Sequence, residues 1–112
     1  MLNRMAVPKN DRRYLWTNHV VGKMLVYRIS PSLVKRIVRF PSRVEEGIAD
    51  ATIAVMKPAE RVKRREEIWV MYQLSSTSRI KVITAWRYPG KSPARHPVPS
   101  AIMEEVAGIL NH

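Results

Sequence analysis

Residues 66–88 read EEIWVMYQLSSTSRIKVITAWRY, and the fold class turns on them. From Glu66 to Leu74 the side chains alternate, with Ile68, Val70 and Tyr72 on one face and Trp69, Met71 and Gln73 on the other. That period of two marks a β-strand. From Arg79 to Tyr88 it returns, setting Ile80, Val82, Thr84, Trp86 and Tyr88 against Lys81, Ile83, Ala85 and Arg87. The stretch between, Ser75-Ser76-Thr77-Ser78, suits a hairpin loop. A shorter run of β-formers, Ala51 to Lys57, precedes a charged linker, Pro58 to Arg65.

Upstream the periodicity is helical. Thr17 or Asn18 can cap a first helix that places Val20, Val21, Met24 and Leu25 on one face and Lys23 opposite. Within it, Met24-Leu25-Val26-Tyr27 reads equally well as a strand. Ser30-Pro31 starts a second helix, a capping hydroxyl followed by proline in the first turn. Leu33, Val34, Ile37 and Val38 form its apolar stripe, Lys35, Arg36 and Arg39 its outer side, and Pro41 its stop. Downstream, Pro89-Gly90 breaks the last strand, and residues 89–99 hold four prolines in an extended connection. Ser100 is the expected cap of a last helix with Ile102, Val106, Ile109 and Leu110 as its stripe. Glu104 and Glu105 lie in its N-terminal half, nearer the positive helix end.

The expectation is therefore an α+β fold: two N-terminal helices, a small antiparallel sheet of three or four strands, and a C-terminal helix. The 112 residues make one domain. Residues 1–13, basic and carrying Pro8, read as a flexible or loosely docked arm, and residues 14–111 as the globular part.

Composition narrows the function classes. There is no Cys, which excludes disulfides, thiolate chemistry and Cys-based zinc. No apolar run approaches the ~20 residues that cross a bilayer, and the start has no signal-peptide stretch, so a soluble cytoplasmic protein without membrane contact is expected. The 20 Lys and Arg against 9 Asp and Glu give a net charge of +11. The excess is segregated: residues 1–43 carry +9, residues 44–78 carry −1, residues 79–95 carry +5 and the rest −2. Thirteen of the basic residues are Arg, whose planar fork matches phosphate oxygens in pairs. A segregated, Arg-rich excess points to nucleic acid, RNA in particular. The cations assigned to its contact are Lys23, Lys35, Arg36, Arg39 and Arg43 in the first basic zone, and Arg79, Lys81 and Arg95 in the second.

Catalytic chemistry has fewer carriers. The three His residues are far apart, no cluster has metal-ligand spacing, and the four Gly residues are isolated, so no metal or cofactor is expected. One polar stretch stands out, Trp86-Arg87-Tyr88-Pro89-Gly90-Lys91. Cleaving RNA through its own 2′-hydroxyl needs a proton carrier, a cation for the phosphorane and an acid for the leaving oxygen. His19 could carry the proton, Arg87 the charge, and Tyr88 or Lys91 could act as acid. Trp86, alternating with Val82 and Thr84, is expected in the core, as are Trp69 and Met71.

Asn18-His19, Lys23-Met24, Tyr27-Arg28-Ile29-Ser30, Val34, Ile37 and Pro41-Ser42-Arg43-Val44 resemble the opening of a family of small proteins akin to the BrnT-like toxins of the RelE-like ribonuclease superfamily. The later strands, Glu67-Ile68-Trp69-Val70 and Lys81 to Arg87, fit the same layout, and the resemblance spans residues 18–91. It implies a RelE-like fold and a metal-independent endoribonuclease acting on messenger RNA, often at the ribosome, held in check by an antitoxin protein. It also sets His19, Lys23, Arg28 and Arg87 in the shared pattern, which makes His19, Arg28, Arg87, Tyr88 and Lys91 the expected catalytic group. The linker at 58–65 and the tail from residue 89 depart from that pattern. Two other readings stay open: a non-catalytic nucleic-acid-binding module on the same basic face, and an interaction protein whose C-terminal helix docks a partner.

Overall fold

The computed structural model describes residues 7–47, 51–59, 64–75, 78–93 and 98–110. In chain order the elements are β1 (Tyr14–Trp16), α1 (Asn18–Tyr27), α2 (Pro31–Arg39), β2 (Arg43–Glu46), β3 (Thr52–Pro58), β4 (Glu66–Leu74), β5 (Ile80–Pro89) and α3 (Ser100–Leu110). The strands form one mixed sheet in the order β1-β5-β4-β3-β2, with β1 parallel to β5 and every other pair antiparallel. The fold is α+β. The sheet has five strands rather than three or four and is not wholly antiparallel, which corrects the sequence expectation.

Both additional strands are edges with little period of their own. Tyr14-Leu15-Trp16 is too short to show alternation, and it becomes a strand only by pairing with Ile80, Lys81 and Val82, far away in sequence. Arg43-Val44-Glu45-Glu46 is charged, as an edge must be to resist pairing with other chains. Residues ahead of β1 are tied down as well. Asn10 Oδ1 accepts from the Trp16 amide at 2.7 Å, and Asp11 Oδ1 accepts from those of Arg13 and Tyr14 at 2.8 and 2.7 Å.

The helices form where their caps predict. Thr17 Oγ1 accepts from the Val20 amide at 3.0 Å to open α1, and Ser30 Oγ accepts from the Leu33 amide at 3.1 Å to open α2. Helix α1 ends at Arg28, which sits in the left-handed region at φ 57°. Helix α3 begins at Ser100, but the carbonyl accepting from the Met103 amide belongs to Pro99, which therefore holds the cap position instead of Ser100.

A β-bulge divides the core. Met71 pairs with Thr84 and Tyr72 with Val82, leaving Ile83 without a cross-strand partner. Thr17 fills the irregularity, donating from its amide to the Val82 carbonyl and from its hydroxyl to that of Ile83, at 3.2 and 2.9 Å. Val82 and Ala85 consequently share one face, while Thr84 and Trp86 share the other, so uniform alternation through β5 does not hold. The first face, with Val55 and Val70, packs under Val20 and Met24 of α1 and Val34 and Ile37 of α2. The second, with Met56, Trp69 and Met71, packs under Ile102 and Val106 of α3. Trp69 and Trp86 stack there at 5.9 Å between centroids, an arrangement worth about 0.5–1.5 kcal/mol beyond area burial. Among the described residues no helix is long and apolar enough to cross a membrane.

Candidate nucleic-acid interface

The cations fall into two populations, those held by carboxylates and those that are not. Part of the second gathers around β1 and the outer side of α2. Because Val34 and Ile37 face the core, Lys35, Arg36 and Arg39 face out, and Arg36 and Arg39 are exposed. The Lys35 ammonium lies 5.1 Å from the centre of the buried Tyr14 ring. Arg79, just ahead of β5, donates to the Asp11 carbonyl. Burial pushes the Tyr14 hydroxyl above its ordinary value, while the nearby charges of Arg13 and Arg39 pull it back. Asp11 is held below the usual carboxylate value by the amides of Tyr14 and Arg13, helped by Lys35 and Arg79. Arg13, Lys35, Arg39 and Arg79 thus share one neighbourhood. None of them forms an ion pair among the described residues. Among the described residues Asp11 is the carboxylate that acts on this group, and like charges held together raise the local positive potential.

The first population has internal work. At the start of α1, His19 Nε2 lies 3.1 Å from Thr84 Oγ1 and 3.4 Å from Glu105 Oε2, and Lys23 Nζ lies 3.1 Å from Glu105 Oε1. These contacts fasten α3 to α1 across the second core face. Burial pushes the His19 ring below its ordinary value, and Lys23 adds to this; the Glu105 carboxylate opposes it without prevailing. In the tautomer with hydrogen on Nε2 the ring donates to the Thr84 hydroxyl.

Arg87 works at the other end of the same helix. Its Nε donates to the Tyr27 carbonyl at 2.8 Å and its NH2 to that of Arg28 at 3.4 Å, with Glu66 Oε1 3.6 Å from NH1. The guanidinium satisfies carbonyls that the end of α1 would otherwise leave open and complements the negative helix end.

Arg43 anchors the segment after β5. It donates from NH1 to the Ser92 carbonyl and hydroxyl at 3.2 and 2.9 Å, and from NH2 to Glu45 and the Pro93 carbonyl at 3.2 and 2.9 Å. Behind it lies Glu67, 1% exposed, which sequence periodicity did not single out. Its Oε1 accepts from Trp69 Nε1 and from the amide and hydroxyl of Ser92 at 3.0, 3.1 and 2.5 Å, and its Oε2 lies 3.6 Å from Arg43. Burial pushes the Glu67 carboxyl up, but the hydrogen bonds from Ser92 and Trp69 and the Arg43 charge outweigh it and hold it below its ordinary value.

The expected catalytic group is spread out. His19 and Arg28 are nine residues apart on and just beyond α1, about 13 Å at 1.5 Å per residue. Arg87 and Tyr88 point to opposite faces of β5, Tyr88 lying half-buried against the second core cluster. Arg28 and Lys91 are exposed. Of the residues assigned to nucleic-acid contact, Lys35, Arg39 and Arg79 come together and Arg36 stands beside them. Lys23 and Arg43 are engaged in ion pairs, Lys81 is half-buried in β5, and Arg95 lies outside the described residues. Arg13 joins the group unassigned; only its place in a basic segment signalled it. Nothing in the sequence links His19 to Glu105, which the packing of α3 brings together. No family model, curated protein or solved structure matches this chain.

Proposed function

We propose that this protein binds the phosphate backbone of RNA through the face formed by β1 and the outer side of α2. One observation carries the reading: Arg13, Lys35, Arg39 and Arg79 converge there without ion-pair partners among the described residues, whereas Lys23, Arg43 and Arg87 are held by carboxylates within the fold. Affinity for a short single-stranded RNA should fall with salt at a slope of roughly −0.7 per neutralised phosphate. Four cations predict a log–log slope of about −3, and the double variant K35A/R39A should lower its magnitude by ~1.4. Fluorescence anisotropy across a salt series measures both, and salt-insensitive or absent binding refutes the proposal.

A second reading, the metal-independent endoribonuclease implied by the resemblance, is favoured by one contact, the partly exposed His19 beside Glu105 and Lys23. It predicts fragments ending in a 2′,3′-cyclic phosphate without added metal, lost in H19A. RNA that stays intact while bound leaves the protein a binding module.

A further inference from the structure

Phe40 closes α2 and is left out of both cores. It is 63% exposed, and neither hydrophobic cluster contains it. Its backbone leaves the helix at φ −135° and ψ 61°, outside the α region that the following Pro41 disfavours for the residue before it. The Arg39 guanidinium carbon lies 5.7 Å from the Phe40 ring centre, within cation–π range, and the same arginine acts on Tyr14 at the heart of the basic face. An accessible aromatic ring therefore stands at the rim of a field of cations, joined to it by a side chain that belongs to both.

Leu25 and Val26, on the outer side of α1, are also exposed, but they offer no flat ring. Phe40 has no hydrogen-bonding group, so it can hold a base only by its face. In a duplex every base face is already covered by its neighbours, whereas in a single strand it is free to stack.

Resting on the RNA-binding reading above, we propose that Phe40, positioned by Arg39, is a base-stacking platform that makes this face prefer single-stranded over duplex nucleic acid with little regard to base identity.

The test compares wild type, F40A, F40W and K35A/R39A for binding to a labelled oligouridylate and to a duplex RNA of equal length. F40A should weaken single-strand binding by about 5- to 100-fold, the range of one lost base stack. Duplex binding and the salt slope should stay unchanged, because no charge is removed, and F40W should restore the single-strand affinity. F40A that binds the single strand like wild type, or loses both forms equally, overturns the platform and leaves the backbone reading standing. Wild type that binds neither form overturns the backbone reading itself. Because Phe40 is exposed and outside the cores, the folded fraction of F40A, checked by circular dichroism, should match wild type.

Discussion

Replacing Arg43 with alanine separates a cation that holds the fold from one that meets a ligand. The guanidinium faces the buried Glu67 carboxylate and supplies two carbonyls and a hydroxyl of the 92–93 segment, with its side chain 21% exposed. In R43A, Glu67 Oε2 stays buried and keeps no partner, since it accepts no hydrogen bond from any other group. Removing one member of a buried ion pair costs about 3–5 kcal/mol, and the partial exposure of Arg43 places this case near ~3. Deleting an ordinary surface cation changes stability by only about 0.5 kcal/mol. Urea unfolding followed by tryptophan fluorescence suits the measurement, because Trp69 and Trp86 are buried beside the pair. The expected loss corresponds to a fall in Tm of about 10–20 °C. The double variant R43A/E67Q should recover part of it, because an amide carries no charge to leave unpaired. The pH dependence has a fixed sign. Glu67 is held below its ordinary value of 4.5, so its contribution is complete above pH 4.5 and is lost as pH falls through the folded value. In R43A the folded value moves up toward the ordinary one, so the window narrows and less stability should be lost on acidification. A stability loss under about 1 kcal/mol, with RNA affinity reduced instead, would refute the structural role and return Arg43 to the binding face.

Three further outcomes follow from the same contacts. R87A should destabilise the fold by about 1–2 kcal/mol in urea unfolding, through the lost bonds to the Tyr27 and Arg28 carbonyls, and leave the salt slope of RNA binding unchanged. R28G should stabilise by ~0.5–1 kcal/mol in thermal melts, since glycine relieves the left-handed backbone at φ 57°; a loss of stability would show that the Arg28 side chain contributes to folding. For His19, burial lowers the pKa beneath its ordinary 6.5, so its contribution is complete above pH 6.5 and is lost as pH falls through that value toward the folded one. Unfolding curves of wild type across that window should show the decline, and H19Q should be flat there.

How far the site could be read before the fold depends on sequence distance. The outer face of α2 was legible because Lys35, Arg36 and Arg39 are set against Val34 and Ile37 by a local period of 3.6. The role of Arg43 was not, because its partners Glu67, Ser92 and Pro93 come from segments that no local pattern connects to it. Trp86 was correctly expected in the core. Of its expected companions Thr84 and Tyr88 share its face but Ile80 and Val82 do not, because the bulge at Ile83 shifts the alternation by one residue, and a shift of one moves side chains to the opposite face.

Local chemistry along the chain was sufficient for the two helix starts at Thr17 and Ser30, the strands β3, β4 and β5, and a strong positive charge divided into zones. Capping, alternation and charge involve residues a few positions apart, so the chain carries them before it folds. Only tertiary structure decided that Tyr14-Leu15-Trp16 would be a parallel edge strand, that His19, Arg43 and Arg87 would bind acids and carbonyls inside the protein, and that Arg13, Lys35, Arg39 and Arg79 would be left together at the surface. Whether a cation is neutralised depends on which carboxylate the packing brings near it, and an ionic contact carries no periodic mark in the sequence.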